Sequence, residues 1–286
     1  MARMRTLAER AEHLLGASVV STTPVAGGDI CTSTRLRLSD GRSALIKTRP
    51  NAPDGFFEAE ARGLRWLAEP GVAAVADVLG VQNDCLVLGW IEPTRPTPEA
   101  AAEFGRMLAR LHASGADGFG ADDDGFIGSL PLPNRTAPTW PEFFAVRRIL
   151  PYLKLAVDRG HIEAGDADAV EGVVRRIVDL AGADEPPARL HGDLWSDNLV
   201  WNAERYAVLV DPAAYGGHRE TDLAMLTLFG LPQLPRVIAA YQEETPLADG
   251  WEDRQPLYQL FPLLVHAALF GGRYGALAGD AARKLA

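Results

Sequence analysis

The sequence predicts an α+β protein of two lobes, with a small strand-rich lobe followed by a larger helical one. Residues 34–38 and 43–47 alternate in polarity around an Asp-Gly pair, which is typical of a β-hairpin. Three closely spaced prolines at 93, 96 and 98 mark a connector, and apolar residues recur at helical spacing after it. We therefore expect an N-lobe at residues 1–91, a connector at 92–98 and a C-lobe at 99–286.

The individual elements follow from their patterns. Residues 56–69 place Phe57, Ala61, Leu64 and Leu67 on one helical face, and two apolar runs at 75–81 and 85–91 read as strands. Beyond the connector, a short strand is expected at 206–210, and the helical patterns cover residues 99–113, 141–159, 166–181, 219–228 and 234–244.

Composition narrows the class of protein. The chain has 286 residues, 47% of them hydrophobic and 23% charged, which is ordinary for a globular protein. A formal net charge of -10 disfavours nucleic acid as a partner, because the phosphate backbone would repel the protein. Its two cysteines, Cys31 and Cys85, form neither a disulfide framework nor a zinc quartet, and Cys31 is either redox-active or an inert, partly buried thiol.

Two segments bear on localisation. Residues 1–15 lack the apolar centre of a signal peptide and are predicted to form an amphipathic helix. Residues 255–272 contain no formal charge, but two prolines, two glutamines and His266 favour a buried helix over a membrane span. We expect a cytoplasmic protein with no membrane span, and the sequence leaves the oligomeric state undetermined.

The most informative segment is His191-Gly-Asp-Leu-Trp-Ser-Asp-Asn198, followed by Asp211-Pro212 at the end of an apolar run. Asn198 lies five residues after Asp193, and Asp211 lies thirteen after Asn198. Phosphoryl transfer needs these groups: a carboxylate to accept the hydroxyl proton, and an amide and a second carboxylate to hold Mg²⁺ on ATP. Asp193 is the candidate base, with an ordinary pKa of about 3.9 expected for an exposed side chain. The alternative is a helix-capping turn.

A second group of residues belongs to the N-lobe. Lys47 ends an alternating strand and Glu60 lies on the next predicted helix, which is how kinases orient a phosphate-binding lysine. Alternatively, both are solvated surface residues. Gly27 and Gly28 stand in the turn where a phosphate-covering loop is expected, although they match neither a Walker loop nor a G-x-G-x-x-G loop. A hydrolase is excluded because neither a nucleophile elbow nor a Ser/His/Asp order is present.

The chain resembles the fructosamine kinase family, also called ketosamine-3-kinases. Several segments carry this resemblance: Pro24-Val-Ala-Gly-Gly-Asp-Ile30, Phe57-Glu-Ala-Glu-Ala-Arg-Gly-Leu64, Phe126-Ile-Gly-Ser-Leu-Pro-Leu-Pro-Asn134, Trp140-Pro-Glu-Phe-Phe144, Arg147-Arg-Ile-Leu-Pro151, His191-Gly-Asp-Leu-Trp-Ser-Asp-Asn198 and Asp211-Pro-Ala-Ala-Tyr-Gly-Gly-His-Arg-Glu220. The resemblance implies a two-lobed protein-kinase-like fold and phosphorylation by Mg·ATP of the 3-hydroxyl of a ribulosamine or fructosamine, a small-molecule ketosamine. The 3-phosphate is unstable, so the reaction leads to deglycation.

The resemblance also implies residue roles. Asp193 would be the base, Asn198 and Asp211 the metal ligands, and Lys47 and Glu60 the phosphate-side pair. Asp222 would brace the catalytic loop. Trp195 would either offer an apolar face to the sugar-amine or pack as a core residue.

Two other functions stay open from the sequence. One is a different small-molecule kinase of the same fold, acting on an aminoglycoside or choline. The other is a nucleotide-binding protein without catalysis, although the complete set of Lys47, Asp193, Asn198 and Asp211 argues against it.

Overall fold

A computed structural model of the chain describes residues 6–26 and 30–286. The N-lobe is a five-stranded antiparallel sheet in the order β1-β2-β3-β5-β4, with one helix before it in sequence and one inserted after β3. Its elements are α1 (Leu7–Leu15), β1 (Val19–Val25), β2 (Thr32–Leu38), β3 (Ser43–Thr48), α2 (Phe56–Ala68), β4 (Val78–Gln82) and β5 (Cys85–Gly89). The predicted α+β class with a strand-rich first lobe is confirmed.

Most N-lobe elements lie where their patterns predict them. The Asp-Gly turn joins β2 to β3 with Leu36 opposite Ala44, so the apolar residues of both strands face one core. The strand predicted at 75–81 is shorter, because its first part leaves the sheet. Ala76 N–H donates to Leu209 O, and Leu209 N–H donates to Ala74 O, so this segment joins the N-lobe to a C-lobe strand.

The C-lobe is mainly helical, with three short two-stranded sheets. Its elements are α3 (Pro98–Ala113), β6 (Gly125–Ile127), β7 (Leu130–Leu132), α4 (Trp140–Phe143), a π-helix (Phe144–Ile149), α5 (Leu150–Asp158), α6 (Ala164–Arg175), α7 (Ile177–Leu180), β8 (Ala188–Leu190), a 3₁₀ turn (Ser196–Asn198), β9 (Leu199–Asn202), β10 (Tyr206–Leu209), β11 (Tyr215–Gly217), α8 (Glu220–Phe229), α9 (Leu234–Glu244), α10 (Trp251–Phe270) and α11 (Tyr274–Arg283).

The helix predicted at 141–159 is divided by the π-helix. Leu150 N–H donates to Ala145 O, five residues back rather than four. Pro151 follows directly, and a proline ring crowds the carbonyl four residues before it and offers no N–H. The wider winding before Pro151 accommodates it, and π-turns of this kind often occur near functional sites.

Three apolar clusters form the core of the part of the chain that the structure describes. One fills the C-lobe around Phe143, Tyr152 and Phe261, and one lies between the N-lobe sheet and α1. The third extends across both lobes and joins Leu64 of α2 to Phe104 of α3. The lobes are therefore connected by a continuous packed region behind the cleft between them.

The chain crosses between the lobes in an extended segment from β5 to α3. Thr94 N–H donates to Trp201 O there, so the crossing is attached to β9 of the C-lobe. The boundary at 92–98 remains a prediction. None of the described helices is long and apolar enough to cross a membrane, and α10 is largely buried with prolines 256 and 262 inside it.

Gly105 is required where α3 meets α9. A Cβ added there would lie 2.2 Å from Val237 O, so alanine would force the helices apart. We expect Gly105→Ala to lower the free energy of unfolding by about 1–3 kcal/mol, as overpacking does, despite the better helix propensity of alanine. Urea denaturation would measure it.

Gly172 in α6 is the matched control. Its added Cβ would meet nothing closer than Arg175 Nη2 at 3.7 Å, so Gly172→Ala should leave stability unchanged or raise it by up to about 1 kcal/mol. Equal stability changes in the two variants would contradict the close approach of α3 and α9.

Candidate active site

A cleft of about 1880 Å³ opens between the two lobes. Lys47 and Glu60 line it from the N-lobe, and Asp193, Asn198 and Asp211 line it from the C-lobe. The five residues that the sequence predicts to form the site therefore share one cavity.

Lys47 connects the two lobes at the floor of this cleft. Its side chain lies on β3 and is only 7% exposed. The ammonium Nζ lies 2.8 Å from both carboxylate oxygens of Glu60 on α2, and 2.7 Å from Asp211 Oδ1. The alternative of a solvated surface lysine is wrong, because the burial of the strand places its charge between two carboxylates.

The charges of this cluster are mutually dependent. Burial by itself would lower the pKa of Lys47, but the Asp211 and Glu60 carboxylates outweigh it and raise that pKa above its ordinary value. Burial raises the pKa of Glu60 to about 7 despite the nearby ammonium. Loss of hydration also disfavours the charged form of Asp211, yet Lys47 keeps the pKa of Asp211 below its ordinary value. The lysine is thus held as a cation beside an ionised Asp211.

Asp211 occupies a strained position at the end of β10. Its backbone φ of 52° is in the left-handed region that few residues other than glycine adopt. The preceding Val210 N–H donates to Asn198 O at 3.1 Å, which ties this strand end to the segment that carries Asp193 and Asn198. The Asp211 side chain is 44% exposed, so it can meet a ligand in the cleft. Such strain commonly accompanies functional positions.

Asp193 and Asn198 form a hydrogen-bonded pair across the 3₁₀ turn. Asn198 Nδ2 donates to the Asp193 carbonyl at 2.8 Å and to Asp193 Oδ2 at 3.1 Å. The amide nitrogen of Asn198 therefore bonds within the loop. Its amide oxygen is the atom that can accept a hydrogen bond or coordinate a metal ion.

The ordinary pKa expected for Asp193 is wrong. Burial raises the pKa of Asp193 to about 7, the Asn198 hydrogen bond lowers it, and the Asp211 and Asp222 carboxylates add to the rise. The sequence indicated an exposed loop, whereas the fold partly buries this side chain where it lines the cleft.

Asp222 and two histidines brace residues 191–198, the predicted catalytic loop. Asp222 Oδ2 accepts from His191 N–H at 2.8 Å, and Oδ1 accepts from Gly192 N–H at 2.9 Å. His112 Nε2 approaches the same carboxylate at 3.3 Å. His191 Nε2 donates to Val210 O at 2.8 Å, and its Nδ1 accepts from Asp193 N–H at 3.2 Å. These contacts fix the loop from its backbone.

Only glycine fits between His191 and Asp193. Gly192 has φ of 80°, and a Cβ there would lie 2.1 Å from Ala213 O. The loop can therefore pass directly against the segment that follows Asp211.

The cleft also has an aromatic wall. Trp195, two residues after Asp193, is partly buried, with its ring 6.0 Å from that of Phe229. His266 packs 4.8 Å from Phe229 and 5.0 Å from Tyr274, and all four side chains line the cleft. Sequence reasoning missed the last three because α8, α10 and α11 bring them together from positions with no shared motif.

These geometries agree with the family comparison. A family model described as fructosamine kinase matches residues 3–286, nearly the whole chain. The chain belongs to the fructosamine kinase family. Its enzyme class is accordingly that of ATP-dependent kinases.

Relatives of the family match over most of their length. A Thermus thermophilus protein named as a ketoamine kinase is 40% identical over 256 residues, covering 89% of this chain and 90% of its own. An Enterococcus faecium protein of the same name is 35% identical over 259 residues, covering 88% and 91%. A solved structure named as a fructosamine-3-kinase from Thermobifida fusca is 48% identical, with a TM-score of 0.93 over 98% of each chain.

More distant structures share the fold of this fructosamine kinase family member. The choline kinase LicA from Streptococcus pneumoniae superposes with a TM-score of 0.63 at 17% identity, over 97% of this chain and 96% of its own. The predicted two-lobed protein-kinase-like fold is thereby confirmed.

Two expectations concern the glycine turn. Gly27 and Gly28, proposed to cover phosphate groups, lie outside the described residues, so that role remains a prediction. Cys31 follows the turn and lines the cleft, and burial raises the pKa of its thiol. A raised pKa lowers the thiolate fraction, which favours the inert-thiol interpretation.

Proposed function

We propose that this chain transfers the γ-phosphoryl group of Mg·ATP to the 3-hydroxyl of a ketosamine of the ribulosamine or fructosamine type. One observation supports the chemistry most directly: a single buried ammonium, Lys47 Nζ, contacts Glu60 of one lobe and Asp211 of the other. Family membership supports the acceptor class.

The donor set fits a magnesium ion. The Asn198 amide oxygen and the Asp211 carboxylate are the hard oxygen ligands that Mg²⁺ prefers. Within residues 6–26 and 30–286, no cluster of three or more His, Cys, Asp or Glu could hold a metal by itself. This agrees with a cation that takes its remaining ligands from phosphate oxygens and water. When bound, Mg²⁺ would neutralise charge on the transferring phosphoryl group.

Each of the predicted site residues in the cleft has a separate role in phosphoryl transfer. Lys47 binds phosphate oxygens and is oriented by Glu60. Asp193 accepts the proton of the acceptor hydroxyl as its oxygen bonds to the γ-phosphorus. The bond from that phosphorus to the bridging oxygen breaks, and its electron pair leaves on ADP. Trp195 offers an indole face to the sugar-amine. The 3-phosphate then decomposes, which deglycates the amine.

ADP release with Mg·ATP across an acceptor panel tests the proposal. We expect turnover with ribulose-lysine or fructose-lysine, and none with the same compound methylated on its 3-oxygen, because the accepting hydroxyl is blocked. Removal of Mg²⁺ with EDTA should abolish turnover, and ³¹P NMR should show a phosphate ester at C3.

The panel also contains an aminoglycoside and choline. Turnover confined to either of these would keep the kinase chemistry and reject the ketosamine acceptor. Undiminished turnover in EDTA would contradict the magnesium assignment.

A further inference from the structure

Arg148 is a fully buried cation of the π-helix that faces no carboxylate among the described residues. Its side chain is 0% exposed. Nη1 donates to Pro133 O at 2.7 Å and to Arg147 O at 3.2 Å, and Nη2 donates to Asn134 Oδ1 at 2.6 Å. Every hydrogen-bond acceptor of this guanidinium is therefore neutral.

Three aromatic rings surround the same guanidinium. Its central carbon lies 3.8 Å from the ring centroid of Tyr215, 4.7 Å from that of Phe143 and 5.4 Å from that of Phe261. Cation–π contacts offset part of the cost of removing the charge from water. An apolar side chain would avoid that cost entirely, so stability alone does not account for an arginine here.

One contact leads from Arg148 to the catalytic loop. The Tyr215 ring lies between the guanidinium and Gly192, where an added Cβ would be 3.0 Å from Tyr215 Cε1. Tyr215 also pairs with Leu190 in the short sheet that leads into the loop. Displacement of this ring would move the residue directly before Asp193.

The other contact leads to the wall of the cleft. Asn134 is 2% exposed and organises the acidic loop 121–124: its N–H donates to Asp124 Oδ1 at 2.7 Å, and its Nδ2 donates to Asp123 O at 3.1 Å. Its carbonyl accepts from Ala121 N–H at 2.9 Å. Asn134 and the whole loop line the cleft. Arg148 Nη2 fixes the orientation of the Asn134 side chain, on which the Nδ2 bond to Asp123 O depends.

We propose that Arg148 is a positioning residue that fixes the acceptor wall relative to Asp193, acting through Asn134 and Tyr215. This inference rests on the proposed function in one respect, namely that the wall formed by loop 121–124 and Asn134 faces the acceptor. The arginine itself contacts no substrate. Its flat, forked guanidinium is suited to the task because it donates to two neighbouring groups while stacking on a ring.

Steady-state kinetics of Arg148→Met test the proposal with whichever panel acceptor the native protein phosphorylates. Methionine keeps much of the volume and removes both donors. We expect kcat/KM for the acceptor to fall roughly 10–100-fold, since small misplacements of reacting groups have effects of that size. KM for ATP should stay within about twofold, because the nucleotide-side residues are untouched. Arg148→Lys, which keeps the charge but not the fork, should recover part of the loss.

Two controls separate positioning from general destabilisation. Arg147→Met removes the neighbouring arginine, whose Nε bonds Arg135 O but does not reach Asn134. Leu257→Ala opens the same apolar core at a fully buried residue that does not line the cleft. Both should retain the acceptor kinetics of the native protein when assayed below their melting temperatures.

Hydrogen exchange supplies a readout that needs no substrate. In Arg148→Met, amides in residues 119–136 and 188–194 should exchange faster, while those in β3 and β5 should not. Unchanged exchange there would overturn the proposal, as would an acceptor defect equalled by Leu257→Ala or an equal rise in the KM for ATP. If Arg148→Met does not fold, Arg148→Lys is read by the same criteria. Absence of turnover by the native protein would instead reject the proposed function, and exchange would still decide the role of Arg148.

Discussion

Asp193→Asn is expected to abolish phosphoryl transfer while leaving ATP binding intact. Asparagine keeps the shape of the side chain and can still meet Asn198, but it cannot accept a proton. A positioned base contributes roughly 10²–10⁴-fold to the rate, which corresponds to about 3–5 kcal/mol of barrier. ADP release should fall by at least that lower factor. Titration calorimetry should show nearly native ATP affinity, because no nucleotide-side contact is lost.

A distant aspartate provides the control for this substitution. Asp179→Asn changes an exposed side chain on α7, outside the cleft, and should keep native turnover. Native activity in Asp193→Asn would remove the base assignment. Loss of ATP binding in that variant would show that the aspartate serves the nucleotide instead.

Lys47→Met should impair the handling of ATP and destabilise the protein. Methionine fills most of the buried space that the Lys47 side chain occupies. It carries no charge, so Glu60 and Asp211 lose the cation that they share. Loss of a preorganised charge at a transferring group costs roughly 10²–10³-fold in kcat, and we expect the KM for ATP to rise as well. Removal of one partner from a buried ion pair costs about 3–5 kcal/mol, and the exposure of Asp211 places this site at the lower end of that range.

Kinetics as a function of ATP and urea denaturation would measure the two effects separately. Lys154→Met is the control, since this lysine is 74% exposed and pairs with Asp158 on the same helix. An unchanged dependence on ATP in Lys47→Met would contradict the phosphate-side role.

Local patterns predicted much of the fold. The Asp-Gly turn between β2 and β3 and the apolar face of α2 depend on neighbouring residues, and their positions are within one or two residues of the structure. The single helix expected at 141–159 was wrong in detail. Pro151 marks where the regular helix is disturbed, but local periodicity does not predict that the disturbance takes the form of a π-helix.

The candidate site was predictable in its members but not in its electrostatics. Motif spacing selects Asp193, Asn198 and Asp211, because a short loop and a hairpin place them together. Burial of Asp193 and the nearby carboxylates of Asp211 and Asp222 arise from tertiary packing, so the rise of its pKa to about 7 could not be foreseen. His191 illustrates the same limit, since its bracing role depends on the carbonyl of Val210 across the hairpin.

The sequence by itself determined the enzyme family, the order of the lobes and the identity of the principal polar groups, since these follow from motifs and short-range periodicity. Only the tertiary structure decided that Lys47 meets Asp211 across 164 residues, that helices distant in sequence build one aromatic wall, and that Arg148 connects this cleft to the catalytic loop. Such contacts depend on how whole elements pack against one another. Hydrogen-bond geometry and the loss of hydration at each group are consequences of that packing.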